Sequence, residues 1–177
     1  MRLFIGLDCS QIKPSLTAIQ KRFYPIKAAF PQSFHLTIKY LGNVHEVDLP
    51  WIDKQLRGVD TASFMLSIDK IGTFTTFTQK IIWAGVANST PLNQLQLMVD
   101  NALYKRFEKA HKFSPHITIA RIKKHHKLFH KERQCLTDGL SEEIQTCKLM
   151  VDRFSLVESV LAKQGAIYKD IKSYPLM

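Results

Sequence analysis

Residues 34–41 read FHLTIKYL and residues 116–122 read HITIARI, so the chain carries the pattern His, aliphatic, Thr, Ile twice. Both segments are rich in β-forming residues, and the first alternates, which predicts two β-strands. Residues two apart on a strand point to the same face. Each predicted strand therefore presents one imidazole and one hydroxyl together, with aliphatic side chains packed behind them.

The polar residues of the two motifs are His35, Thr37, His116 and Thr118. A single copy of such a motif is more often a half-buried structural histidine whose ring is satisfied inside a strand. Two copies with matching apolar neighbours favour a shared site. If the two strands lie side by side about a pseudo-twofold axis, the histidines stand on opposite sides of one small space.

Two facing imidazoles suit the cleavage of a phosphodiester. One imidazole takes a proton from water while the other gives a proton to the departing ribose oxygen, and a histidine pKa of about 6.5 serves both steps near neutral pH. Thr37 and Thr118 can donate hydroxyl hydrogen bonds to the non-bridging phosphate oxygens. This chemistry requires no metal, and we expect no bound cofactor.

The remaining segments predict an α+β fold with mostly antiparallel pairing and no linker-like boundary, so we expect residues 1–177 to form one domain. We expect strands at 2–8, 64–71 and 80–87, the last two as a hairpin, and a final strand pair at 149–157 and 166–171. Helices are expected after Pro14, at 48–56 and from Pro91, where Ser89 or Thr90 can cap the first turn.

The chain is strongly basic, with a net charge of +10, which implies nucleic acid or a phosphorylated substrate as partner. Its three cysteines, Cys9, Cys135 and Cys147, form no CxxC pair and are odd in number, which indicates a reducing compartment. We see neither a signal peptide nor an apolar stretch of membrane-spanning length. We therefore expect a cytoplasmic protein that does not bind a membrane.

The two motifs, with RLFIGLD at 2–8, IIWAGV at 81–86 and FSPHITIARIK at 113–123, resemble the RNA 2′,3′-cyclic phosphodiesterases of the 2H phosphoesterase superfamily, also called 2′-5′ RNA ligases. The resemblance covers most of the chain. It implies a bilobal, pseudo-twofold arrangement of two mostly antiparallel sheets with flanking helices and an active site in the central cleft. It also implies hydrolysis of a 2′,3′-cyclic phosphate on RNA or a nucleotide to a 2′-phosphate, with ligation as the reverse reaction. We expect a monomer without an obligate protein partner.

The same resemblance implies that His35 is the proton donor and His116 the proton acceptor, that Tyr40 stacks on a base and that Arg121 contacts phosphate. Strict alternation would turn Tyr40 and Arg121 away from the histidine face, so each needs a bulge, a strong twist or a strand end to reach it. Without one, Tyr40 is a core aromatic and Arg121 a surface charge. Lys39 has the parity to face phosphate, but a solvated lysine at a strand edge is an equal alternative.

Two competing interpretations remain. The basic stretch 123–133, which is expected to be helix or loop, contains His126 and His130 at a helical spacing that could bind zinc, although a solvated basic face explains it more simply. The rival to an enzyme is a non-catalytic RNA-binding module that uses the same basic cleft and aromatics such as Phe74, Phe77 or Tyr40. Such a module would keep its function when either histidine is replaced.

Overall fold

The structure is a computed structural model that describes residues 1–109, 111–162 and 165–177. Its strands are β1 (Arg2–Asp8), β2 (His35–Asn43), β3 (Phe64–Thr75), β4 (Gln79–Val86), β5 (His116–Lys123), β6 (Cys147–Val151), β7 (Arg153–Ala162) and β8 (Gly165–Pro175). Its α-helices are α1 (Lys13–Lys21), α2 (Leu49–Leu56), α3 (Thr90–Leu103) and α4 (His130–Ser141). The expected α+β class is confirmed.

The strands of the described residues form one sheet in the order β6-β3-β4-β5-β2-β1-β7-β8, and neighbouring strands are antiparallel. We expected two sheets. The two halves, of four strands each, are continuous instead, because Leu36 of β2 pairs with Ile117 of β5. That pair joins the middle residues of the two His-x-Thr motifs, so the motif strands lie side by side at the centre of the sheet.

One face of the sheet packs against helices and forms the core. Helix α1 lies against β5 and α3 lies against β2, so each motif strand is covered by the helix that belongs to the other half of the chain. Leu36 and Ile117 point into this core and are fully buried. Because side chains alternate along a strand, the His and Thr residues that flank them point to the opposite face, which we call the motif face.

The helix from Pro91 begins as its capping residues predict. Ser89 is the N-cap, and its side-chain oxygen accepts a hydrogen bond from the Leu92 N–H at 3.3 Å. The hairpin of β3 and β4 is also confirmed, with longer strands than expected. No helix in the described ranges is long and apolar enough to span a membrane.

The expected strand at 149–157 is wrong, because it is two strands that break at Asp152. β6 pairs with β3 in one half of the sheet, and β7 pairs with β1 and β8 in the other. Buried apolar residues continue on both sides of the break, at Val151 and Phe154, so the pattern resembles one strand although the partner changes. The basic stretch 123–133 is divided between the end of β5, a turn and the start of α4.

Candidate active site

The antiparallel pairing at the centre of the sheet brings the four motif residues together. Leu36 and Ile117 are partners, so the chain directions place His35 towards Thr118 and Thr37 towards His116. All four polar side chains are half-buried. The motif face therefore carries two imidazoles and two hydroxyls in a pseudo-symmetric array.

Both motif strands contain a β-bulge at the same place. The β1–β2 register shifts between Ile5 and Gly6, which leaves Ile38 without a partner, and the β4–β5 register shifts between Ile82 and Trp83, which leaves Ile119 without one. An extra residue reverses the alternation beyond it. The third residue after each threonine consequently returns to the motif face.

Tyr40 and Arg121 are those third residues. Both therefore lie on the motif face, whereas strict alternation would have placed them on the opposite face. Tyr40 is 56% exposed, which rules out a core position for this aromatic ring, and its hydroxyl accepts a hydrogen bond from Arg2 Nε at 2.9 Å. Arg121 is half-buried, and one guanidinium nitrogen lies 3.5 Å from Thr118 Oγ1. The bulges bring an aromatic ring and a fixed positive charge beside the histidines.

Lys39 is turned into the core by the same bulge, so neither location expected for it is correct. Its ammonium forms a buried ion pair with Asp100 of α3 and donates to the Glu108 carbonyl at 2.6 Å. Gln20 of α1 plays a comparable part at the other bulge, where it donates to the Ile119 carbonyl at 3.0 Å. Each bulge is thus held by a buried polar contact with a helix.

His35 is enclosed by aromatic rings. Its ring centroid lies 4.7 Å from that of Phe4 and 4.1 Å from that of Tyr168. Burial lowers the pKa of His35 to about 4, the positive charge of Arg121 and that of His116 in its protonated form act in the same direction, and the Asp8 carboxylate opposes them. In the unliganded site His35 is therefore neutral near pH 7.

His116 is held in one orientation and one tautomer. Its Nδ1 lies 2.8 Å from the Ser114 carbonyl oxygen, which can only accept, so Nδ1 carries the proton. In the neutral ring Nε2 then keeps its lone pair. The Phe74 ring stands edge-on to the imidazole, with centroids 5.0 Å apart. The geometry leaves Nε2 as the nitrogen available for proton transfer.

Two glycines make room for an indole beside His116. Gly85 is the cross-strand partner of His116, and Trp83 is the partner of Thr118. A Cβ at Gly85 would lie 2.6 Å from the Trp83 ring, and one at Gly72 would lie 2.4 Å from it. The indole N–H is buried and has no hydrogen-bond partner within the described part of the chain.

Sequence reasoning did not identify Phe4, Tyr168, Asp8 and Trp83 as neighbours of the site. Phe4 and Asp8 share a parity in β1, so alternation places them on one face, but it cannot say which strand pairs with β1. Tyr168 reaches His35 from β8, two strands away from β1 in the sheet. No local pattern signals that contact.

The histidines considered for zinc do not share a helix face. His126 precedes α4, which begins at His130, and its Nε2 lies 2.9 Å from Glu132 Oε1. The backbone N–H of Lys27, with further hydrogen bonds, lowers the pKa of Glu132 to about 2. In the described ranges no group of three or more His, Cys, Asp or Glu side chains is placed to hold a metal ion.

Solved structures with this fold include LigT of E. coli and the TT0787 protein of Thermus thermophilus. The apo LigT crystal structure superposes with a TM-score of 0.77 at 21% identity, over 99% of this chain and 96% of that one. The TT0787 structure has a TM-score of 0.77 at 20% identity, over 99% and 97% of the two chains. At this level of identity the likeness concerns the fold alone.

Sequence relatives extend over nearly the whole chain. An RNA 2′,3′-cyclic phosphodiesterase of Thermotoga maritima is 30% identical over 96% of this chain and 92% of its own. A protein of the same name from Archaeoglobus fulgidus is 29% identical over 98% and 99%. The family model described as the 2′-5′ RNA ligase superfamily matches residues 9–161. The chain therefore belongs to the 2′-5′ RNA ligase superfamily.

Proposed function

We propose that this protein hydrolyses 2′,3′-cyclic phosphates on RNA or nucleotides to 2′-phosphomonoesters. The observation that carries the proposal is the Leu36–Ile117 pairing, which sets both His-x-Thr motifs on one face of the sheet. The names of the Thermotoga and Archaeoglobus relatives supply the substrate class. A crystal structure of E. coli LigT complexed with 3′-AMP is consistent with nucleotide binding by a protein of this fold.

His116 acts as the base. Its Nδ1–H is engaged by the Ser114 carbonyl, so Nε2 accepts a proton from water as the water oxygen attacks phosphorus. The bond between phosphorus and the ribose 3′ oxygen then breaks, and His35 gives its proton to that oxygen. The phosphate remains on the 2′ oxygen, and the two histidines exchange protonation states in one turnover.

The hydroxyls of Thr37 and Thr118 donate to the non-bridging oxygens, which gain charge as phosphorus becomes five-coordinate. Arg121 supplies a permanent positive charge at the same place, and its guanidinium can hold phosphate through two hydrogen bonds. Tyr40, exposed on the same face, provides a ring on which a base stacks. Ligation of 2′-5′ ends is the reverse of the same chemistry.

His35 must gain a proton before it can act as the acid. Its pKa of about 4 in the unliganded site leaves it neutral at pH 7, and burial and the Arg121 charge are the two largest causes. A bound cyclic phosphate brings a negative charge next to His35, which favours the protonated form of that imidazole. We propose that substrate binding itself raises the pKa of His35, so that its ring is protonated when the reaction begins.

We further propose that the whole chain works as one domain, because the acid comes from one half of the sheet and the base from the other. The histidines supply both proton transfers, so the mechanism needs no metal or other cofactor. A cytoplasmic monomer without an obligate protein partner remains our prediction.

Turnover of a 2′,3′-cyclic mononucleotide, followed by chromatography of the products, tests the proposal. His35→Ala and His116→Ala should each lower kcat/KM by roughly 10²–10⁴. His45→Ala, at an exposed position outside both motifs, is the matched control and should keep full activity. Activity of the wild type should survive a chelator. Full turnover in either motif variant would reject the acid–base mechanism, and RNA retention without any turnover would indicate a binding module instead.

A further inference from the structure

A groove of about 550 Å³ lies at the far end of β5 from His116. Its lining residues are Phe77, Thr78, Gln79, Lys123, Lys124 and His125, and we call it the Phe77 groove. Lys123 pairs with Gln79 across the strands, and the buried Ile122 between Arg121 and Lys123 shows that these two cations share the motif face. Lys123 is seven residues beyond His116, roughly 20 Å along an extended strand.

The groove has the composition of a single-stranded nucleic-acid site. The Phe77 ring is 90% exposed, and Lys124 Nζ lies 5.2 Å from its centroid. Lys123, Lys124 and His125 are exposed, and no acidic side chain is among the described residues that line the groove. An exposed ring offers a stacking surface to any base, and the lysines attract the phosphates between bases.

Aromatic and cationic side chains connect this groove with the histidine site. Phe74, 37% exposed, contacts His116 and lies in the strand that leads to the Phe77 turn. Its cross-strand partner Ile81 pairs in turn with Arg121. Phe74 and Arg121 are therefore level with each other across β3, β4 and β5, between His116 and the Phe77 groove. A nucleic-acid strand that runs from His116 to the groove passes both a ring for a base and a guanidinium for a phosphate.

A second groove, beside β1, β7 and β8, has the opposite charge. It measures about 260 Å³ and is lined by Asp8, Asp152 and Asp170, with Arg153 already paired to Asp152. Carboxylates repel a polyanion, so an RNA strand leaving the histidine site is directed away from this end. The difference in charge between the two grooves therefore favours binding of an RNA strand on the β5 side of the sheet.

We propose that the Phe77 groove binds the RNA chain upstream of the terminal cyclic phosphate, so that the preferred substrate is an oligoribonucleotide rather than a mononucleotide. The inference rests on the proposed function and deepens it. A cyclic mononucleotide at the histidines does not extend to Phe77, which provides a direct test.

The test compares two substrates in one variant. Phe77→Ala combined with Lys124→Glu should lower kcat/KM at least about tenfold for a decaribonucleotide that ends in a 2′,3′-cyclic phosphate. The same variant should turn over the cyclic mononucleotide within about twofold of the wild type, because neither side chain lies in the histidine site. Unchanged decaribonucleotide turnover, or an equal loss on both substrates, overturns the proposal.

The chain offers a matched control. Lys109 Nζ lies 5.6 Å from the centroid of the half-exposed Tyr104 ring, beyond the end of α3. Tyr104→Ala with Lys109→Glu changes the net charge equally and removes an equivalent contact between a ring and a cation. This control should leave kcat/KM unchanged for both substrates. A tenfold loss of kcat/KM for the decaribonucleotide in the control would reject a specific role for the Phe77 groove.

Fluorescence anisotropy of the same decaribonucleotide separates failure of this inference from failure of the proposed function. If the wild type hydrolyses neither substrate, weaker RNA binding by the groove variant than by the control still supports the groove, and equal binding overturns it. Lys123→Gln with Lys124→Gln should reduce the slope of log Kd against log salt by about 1.4. An acidic peptide that displaces the RNA from the wild type but not from the groove variant would assign the groove to a protein partner.

Discussion

Replacing Arg121 with Gln tests how the protein keeps His35 neutral. The pKa of His35 lies at about 4, below an ordinary 6.5, so its surroundings favour the neutral ring by about 3 kcal/mol. Burial is the largest cause and the Arg121 charge the second. Arg121→Gln should therefore raise the pKa of His35 while leaving it below 6.5, because the imidazole stays buried between Phe4 and Tyr168.

The assay is an NMR titration of the His35 ring protons, with and without 2′-AMP as a phosphate probe. At pH 7 a pKa of about 4 leaves roughly one unliganded molecule in a thousand protonated at His35. The phosphate should move the pKa upward in the wild type. Arg57→Gln, an exposed arginine paired with Asp53 on α2, should not change the titration of His35. Two results would refute the reasoning. One is a pKa of 6.5 or above for His35 in the wild type. The other is a His35 pKa that changes neither in Arg121→Gln nor on addition of 2′-AMP.

Three further predictions concern stability. The pKa of His35 is lower in the folded protein than in the unfolded chain, so the unfolded chain takes up a proton there first as the pH falls. The free energy of unfolding should therefore be unaffected by His35 above pH 6.5 and should fall by up to about 3 kcal/mol as the pH drops to about 4. Denaturant titrations should not find this loss in His35→Gln. Lys39→Met should lower the free energy of unfolding by about 3–5 kcal/mol, because it leaves the Asp100 carboxylate buried without this ammonium, and adding Asp100→Leu should recover part of the loss. An unchanged midpoint of denaturant unfolding in Lys39→Met would mean that the buried pair contributes nothing. Gly85→Ala should lower the free energy of unfolding by about 1–3 kcal/mol and perturb the fluorescence of Trp83, because the added methyl group meets that ring. Gly58→Ala is the control and should behave like the wild type, since the nearest atom to its added Cβ, the Gln55 carbonyl oxygen, is 3.4 Å away. Equal stabilities of the two variants would contradict the close packing at Gly85.

Much of the fold could be predicted because its signals are local. The apolar run of residues 2–8, the alternation of residues 34–41 and the capping of α3 by Ser89 each depend on a few neighbouring residues, and the structure has these elements at those positions. The wrong prediction at 149–157 has a different origin. Buried apolar residues stand on both sides of the exposed Asp152 and Arg153 while the strand changes its partner, and the apolar pattern alone does not reveal that change.

The candidate site divides in the same way. The repeated motif identified His35, Thr37, His116 and Thr118 as a group, since parity places each pair on one face of its strand. Parity failed for Lys39, which it directed towards phosphate or, as an equal alternative, towards solvent at a strand edge; the residue lies buried against α3. One inserted residue in the ladder reverses every later side chain, and that insertion depends on how the neighbouring strand pairs.

From the order of residues alone came the two motif strands, the group of imidazoles and hydroxyls, the basic charge and the α+β class, because propensity, alternation and composition need no knowledge of distant contacts. Tertiary structure was needed for the pairing of Leu36 with Ile117 and for the bulges at Ile38 and Ile119. It was also needed for the aromatic enclosure that depresses the pKa of His35. These features arise where segments far apart in the chain meet, and their energies depend on the register and burial set by that meeting.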